Sequence, residues 1–126
     1  MFKEAPAFRL TRWQTVAVVG SWDDPFGRSI TLYKRRLDHI EEDHGEMGNA
    51  VHLIQAAIER PVTIRRDAVH PDRESFYVLA PALGPQMYVK VSVEFELPDH
   101  YGIVVGTIIT AFPTPRLKRG EQPIWP

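Results

Sequence analysis

The chain predicts an α+β fold: two N-terminal helices packed on an antiparallel four-stranded sheet, with an extra N-terminal strand in front. Three observations lead there. Two consecutive segments before Pro61 carry apolar residues at helical spacing. After Pro61 the period drops to two. The later runs are joined by short Pro-, Gly- and Asp-containing turns, which pair sequential strands antiparallel. The length of 126 residues fits one domain, read as an arm over 1–29 with an edge strand and an α+β domain over 30–126.

Residues 1–13 mix Pro6, aromatics and basic residues and read as an extended arm. Thr15 to Gly20 is short and β-branched, a strand signal, and 21–27 is punctuated as a turn. Ile30 to Tyr33 fits either a short strand or the entry to a helix over about 34–44. The second helix follows Asn49, a good N-cap, and stops at Pro61; Val51, Ile54 and Ile58 form its stripe. Strands are expected at 62–66, 75–80, 86–96 and 101–112. The third alternates most cleanly, with Met87, Val89, Val91, Val93 and Phe95 on one face and Tyr88, Lys90, Ser92, Glu94 and Glu96 on the other. Gly102 and Gly106 interrupt the last strand, as where another group approaches closely. From Pro113 the chain reads as a tail anchored by Trp125.

There are no cysteines, so disulfides and thiolate metal sites are excluded. With a mixed N-terminus and no run near the roughly 18 apolar residues of a membrane span, a cytoplasmic protein without membrane contact is expected. The net charge of −1 argues against a surface broadly committed to nucleic acid. Any phosphate binding has to use a local patch.

The segment from Lys34 to Glu46 is the densest in proton-transfer groups, with two of the five histidines. His39 and Asp43 are an i, i+4 pair able to touch. His39 and His44 stand i, i+5, about 140° apart on a helix, so they do not aim at one metal ion, and no metal or other cofactor is expected. The residue types instead suit cofactor-free RNA cleavage through the 2′-hydroxyl. That chemistry needs a base, an acid and donors for the charge that builds on phosphorus. His39 and His44 supply the first two; Lys90 and Thr110 supply the donors if their strands pair in an even register, while an odd register brings Thr107 round instead. Arg65, Arg66, Arg116, Lys118 and Arg119 are available for phosphate. Each has a plainer structural reading: His44 as a packing or C-cap residue, His39 with Asp43 as a solvated pair, Lys90 as a surface ion pair.

Leu37-Asp38-His39-Ile40 with His44, a second helix closing in Ile58-Glu59-Arg60-Pro61, Lys90-Val91-Ser92-Val93, and Thr110-Ala111-Phe112 together resemble the barnase–EndoU–colicin–RelE-like (BECR-fold) nucleases, in particular the small domains found near phage and mobile-element genes. The resemblance spans about 30–120. It implies a metal-independent ribonuclease of toxin or effector type, with helices packed on an antiparallel sheet and RNA on the open face. It assigns His39 and His44 to proton transfer, Lys90 to the strand cation and Thr110 to the late hydroxyl, with RNA and a cognate inhibitor protein as partners. The alternative is a non-catalytic protein-interaction domain on the same scaffold, docking a protein partner or a second copy of the chain and favoured by the aromatics Trp13, Trp22, Tyr101 and Trp125.

Overall fold

The computed structural model describes residues 17–126; the arm expected over 1–13, with Trp13, lies outside the described residues. In chain order the elements are β1 (Val18–Asp23), β2 (Ser29–Tyr33), α1 (Lys34–Asp43), α2 (Ala50–Glu59), β3 (Thr63–Arg66), β4 (Arg73–Leu79), β5 (Tyr88–Phe95), β6 (Val105–Thr114) and β7 (Gln122–Trp125).

The predicted four-stranded antiparallel sheet is corrected. The sheet has seven strands in the order β1-β2-β6-β5-β4-β3-β7 and is mixed, because β2 runs parallel to β6. The four expected strands form its centre as β3 to β6 and are antiparallel. Three further strands surround them, so the helices follow two strands instead of opening the fold. Ile30 to Tyr33 resolves as strand: Ile30 and Leu32 are buried while Ser29, Thr31 and Tyr33 alternate to the other face. β1 is described from Val18, the expected start at Thr15 lying outside the described residues, and is bulged near Val19. There Gly20 leaves room for the Trp22 ring, which a side chain at 20 would strike. β7 forms from the expected tail, and its Pro123 lies on an outer strand, where a missing N–H is tolerated.

Both helices lie on one face. Leu37 and Ile40 of α1, and Ala50, Ile54, Ala57 and Ile58 of α2, are buried against Ile30, Leu32, Ile64, Phe76, Val89, Val91, Val93 and Ile108 of the sheet. Asn49 caps α2 by accepting from the His52 N–H at 3.3 Å, and the helix ends just before Pro61. Among the described residues no helix is long and apolar enough to cross a membrane.

One clasp ties the β1–β2 turn to the far side of the sheet. Asp24 accepts from the backbone N–H groups of Phe26 and Arg28 and from Arg28 Nε. The Arg28 guanidinium then reaches Glu74 on β4 with two bonds of 3.0 and 2.7 Å, a bidentate geometry. Burial opposes its charge, but the bonds to Glu74 and Asp24 outweigh that and hold Arg28 above its ordinary range. The guanidinium lies 4.1 Å from the centre of the Phe95 ring. Phe95 in turn occupies the space over Gly106, where a Cβ would come within 2.8 Å of both Phe95 and Val93. Gly106 thus makes room for the ring on which Arg28 rests, and its place in the strand is explained. Gly102 differs: it sits in the β5–β6 turn with φ +80°, where a side chain is strained.

Gly106→Ala is therefore expected to lower stability by about 1–3 kcal/mol through overpacking. Glu74→Ala, which removes the bidentate tie to β4 but leaves Arg28 paired with Asp24, is expected to lower it by about 1–3 kcal/mol. Urea unfolding of each variant checks both values.

Candidate functional site

The face away from the helices can be read rung by rung from the pairing register. One rung runs Thr110, Ser92, Ser75, Arg65 across β6, β5, β4 and β3. The next runs Phe112, Lys90, Tyr77, Thr63. Lys90 therefore shares its face with Thr110, one rung away, as an even register requires. A bulge in β6 opposite Ser92 and Val93 shifts the count by one, so Thr107 also comes to this face, opposite Glu94.

A single crossing segment lies over part of this face. Following the pairing, β6 and β7 run in the same direction, with β5, β4 and β3 between them. Four strand spacings are about 19 Å, and the chain from Thr114 to Gln122 reaches at most about 29 Å. A connection this short has no slack for a helix and must lie flat across the strands. Residues 115–121 form that strap, and the Lys118 N–H donates to the Tyr77 hydroxyl beneath it at 3.3 Å. Tyr77 and Ser75 are buried although they point away from the helices.

At the end of the strap Glu121 turns inward, its side chain 0% exposed. Its carboxylate accepts from the Tyr77 hydroxyl at 2.6 Å, from the Ser75 hydroxyl at 3.0 Å and from Lys90 Nζ at 3.0 Å. Arg65 binds the Glu121 backbone carbonyl through Nη2 at 3.1 Å, and its Nε stands 3.7 Å from the carboxylate, inside ion-pair range but beyond hydrogen bonding. Lys90 is held between two cross-strand rings, with Nζ 5.7 Å from the Tyr77 centroid and 5.9 Å from that of Phe112. Beside this cluster the strap and the sheet enclose an open cleft of about 460 Å³. Lys90, Tyr77 and Phe112 line it from the sheet, and Arg116, Lys118 and Arg119 line it from the strap. The three strap cations are exposed. The carboxylate nearest Lys90 is buried beneath the strap, so the positive rim faces solvent.

The structure brings together some predicted site residues and separates others. Lys90, Arg116 and Lys118 converge on the cleft, and Arg65 reaches it indirectly through Glu121. Arg66 projects from the opposite face of β3 and is exposed. Thr110 sits one rung off, while Thr114 lines the cleft. His39 is 59% exposed on α1, with Nδ1 3.9 Å from Glu42, and Asp43 is exposed beyond it. His44 ends α1 as its C-cap; its ring packs 5.8 Å from Phe112, and its Nδ1 lies 3.6 Å from Glu46. Of the two predicted histidines, only His44 touches a cleft residue. Among the described residues, no group of three or more His, Asp or Glu side chains is arranged to hold a metal ion. Of the aromatics expected to form a docking surface, Trp22 and Trp125 pack partly against the core, while Tyr101 is exposed beside Leu97 and Ile103 on the β5–β6 turn.

Sequence reasoning missed Glu121, Tyr77 and Ser75. Ser75 and Tyr77 do alternate with Phe76 and Val78, which marks them for the face opposite the core. Glu121 carries no local signal, because nothing in Lys118-Arg119-Gly120-Glu121 separates a buried acid from solvated ones. Burial, and then the bond to Glu121, favour the neutral Tyr77 phenol and hold its pKa well above the tyrosine range. An acid raised in the folded state contributes stability that is complete below its unfolded value and lost as pH rises past it. Stability is thus expected to decline above the unfolded value of about pH 10. Tyr77→Phe should remove that part of the alkaline loss while lowering neutral-pH stability by about 1–2 kcal/mol, as read by denaturant titrations across pH.

No protein-family model and no curated protein matches the sequence, so the cleft rests on its own geometry.

Proposed function

We propose that the protein binds single-stranded RNA by seating several of its phosphates along the Lys90 cleft. The observation that carries this is the convergence of Lys90, Arg116, Lys118 and Arg119 on one open cleft in a chain whose net charge is only −1. A near-neutral protein gains little general attraction for polyanions, so a concentrated cationic rim is the kind of patch that makes phosphate binding local. Phe112, partly exposed on the cleft wall, adds a ring beside the cations, a combination suited to a strand whose bases are free to stack. Thr110 and Ser92, one rung away, extend the same face with hydroxyls able to bond phosphate or ribose.

A second reading, cleavage of that strand, is favoured by one observation: His44 packs on the same Phe112 ring that lies beside Lys90. In this reading the 2′-oxygen bonds to phosphorus as the P–O5′ bond breaks. The 2′-proton passes to His44, the 5′-oxygen takes a proton from solvent, and Lys90 and the strap cations stabilise the charge on phosphorus. His39 and Asp43 have no part in it, since His39 points to solvent beside Glu42.

For binding, log affinity for an oligoribonucleotide is expected to fall with log salt at a slope of roughly −2 to −3, from about 0.7 per phosphate contact. Arg116→Ala with Lys118→Ala should move that slope toward zero by about 1.4. A salt-independent affinity, or a slope unmoved by the double variant, would rule out the cleft. For cleavage, purified protein should cut RNA equally with and without chelator, and His44→Ala should reduce the rate at least about a hundredfold. Intact RNA in both reactions would leave binding as the function.

A further inference from the structure

Glu121, which does not line the cleft, holds the cation that does, and Arg65 stands beside it. Lys90 Nζ has three donors, and one is spent on Glu121 Oε2 at 3.0 Å. An anion in the cleft competes for that ammonium. If Lys90 turned to it alone, Glu121 would be left buried with two hydroxyl donors and no bonded cation, a costly state for a carboxylate. The structure already holds the replacement. Arg65 Nε is buried, has no hydrogen-bond partner among the described residues, and stands 3.7 Å from Glu121 Oε1. A charge-assisted N–H···O bond forms at about 2.8 Å, so Arg65 has to move by roughly an ångström. Its Nη2 bond to the Glu121 backbone carbonyl keeps the guanidinium at that position.

We infer that Glu121 and Arg65 are positioning residues that govern how far Lys90 is available to the bound phosphate. As the anion enters, Lys90 Nζ shifts from Glu121 toward the cleft and Arg65 Nε closes on Glu121 in its place. Glu121 keeps a cationic partner throughout, and Ser75 and Tyr77 hold its carboxylate still while the partners exchange. The inference rests on the reading of the cleft as a phosphate site.

The test is the affinity of a fluorescently labelled single-stranded oligoribonucleotide for wild type, Arg65→Gln, Glu121→Gln and the double variant. Arg65→Gln is expected to weaken binding about tenfold in the wild-type background, the scale of a lost hydrogen bond to a charge. It should weaken binding less than about twofold when Glu121→Gln has removed the charge needing a replacement. An equal loss in both backgrounds would make Arg65 a direct phosphate contact and overturn the exchange. Lys90→Met separates the two claims: if it leaves wild-type affinity unchanged, the cleft reading itself falls. Should Glu121→Gln fail to fold, the wild-type protein still decides. The Arg65 Nε–H resonance should move downfield and gain protection from solvent exchange as the oligoribonucleotide saturates, and a resonance that stays put at saturation would overturn the inference.

Discussion

A buried lysine and a buried glutamate, set under a strap too short to lie anywhere else, are the constraint on which this side of the molecule depends. Two charges removed from water cost far more than their attraction returns unless the remaining acceptors are also bonded. Here the hydroxyls of Ser75 and Tyr77 complete the Glu121 carboxylate, and two aromatic rings flank the ammonium. The pair also fixes a long-range contact, since Glu121 closes the crossing segment while Lys90 stands on β5. Pinning the strap at Glu121 places β7 against β3 and sets Arg116, Lys118 and Arg119 along the cleft.

The two faces of the sheet are stabilised in different ways. On the helix side, apolar burial dominates: Ile, Val and Phe side chains of five strands meet two short helices. Neither helix is long enough to be stable alone, so each depends on its buried stripe. On the other side the polar cluster gives little net stability and much specificity of position, as buried ionic groups do in some proteins. The Arg28 clasp performs a similar task near the β1–β2 turn, where Gly106 lets Phe95 serve as its platform.

Much of the architecture was legible because it is periodic. The α1 and α2 stripes and the alternation from Val89 to Phe95 each announce one element and its buried face. What was not legible is pairing between distant segments. Ser29 to Tyr33 is only five residues long, and its parallel partner β6 begins more than seventy positions later; no local pattern encodes that choice. β7 is shorter still and contains Pro123, so it reads as tail until its hydrogen bonds to β3 are seen. Within the cleft, charge marked Lys90, Arg116 and Lys118 as residues to watch, and the three line it together. Helical geometry also brought His39 and Asp43 together on paper, but exposed side chains on a short helix are free to choose, and the imidazole lies nearest Glu42 instead. Glu121 was invisible because its role arises from a crossover that exists only in three dimensions.

The most direct measurement is a double-mutant cycle on stability with Lys90→Met and Glu121→Gln, each unfolded in denaturant. If the pair organises the strap, Lys90→Met alone should cost about 1–3 kcal/mol by taking the hydrogen-bonded cation from a buried carboxylate that Arg65 only partly re-pairs, and the double variant should cost less than the sum of the two single losses. Single losses that simply add would show that the two residues stand in contact without depending on one another.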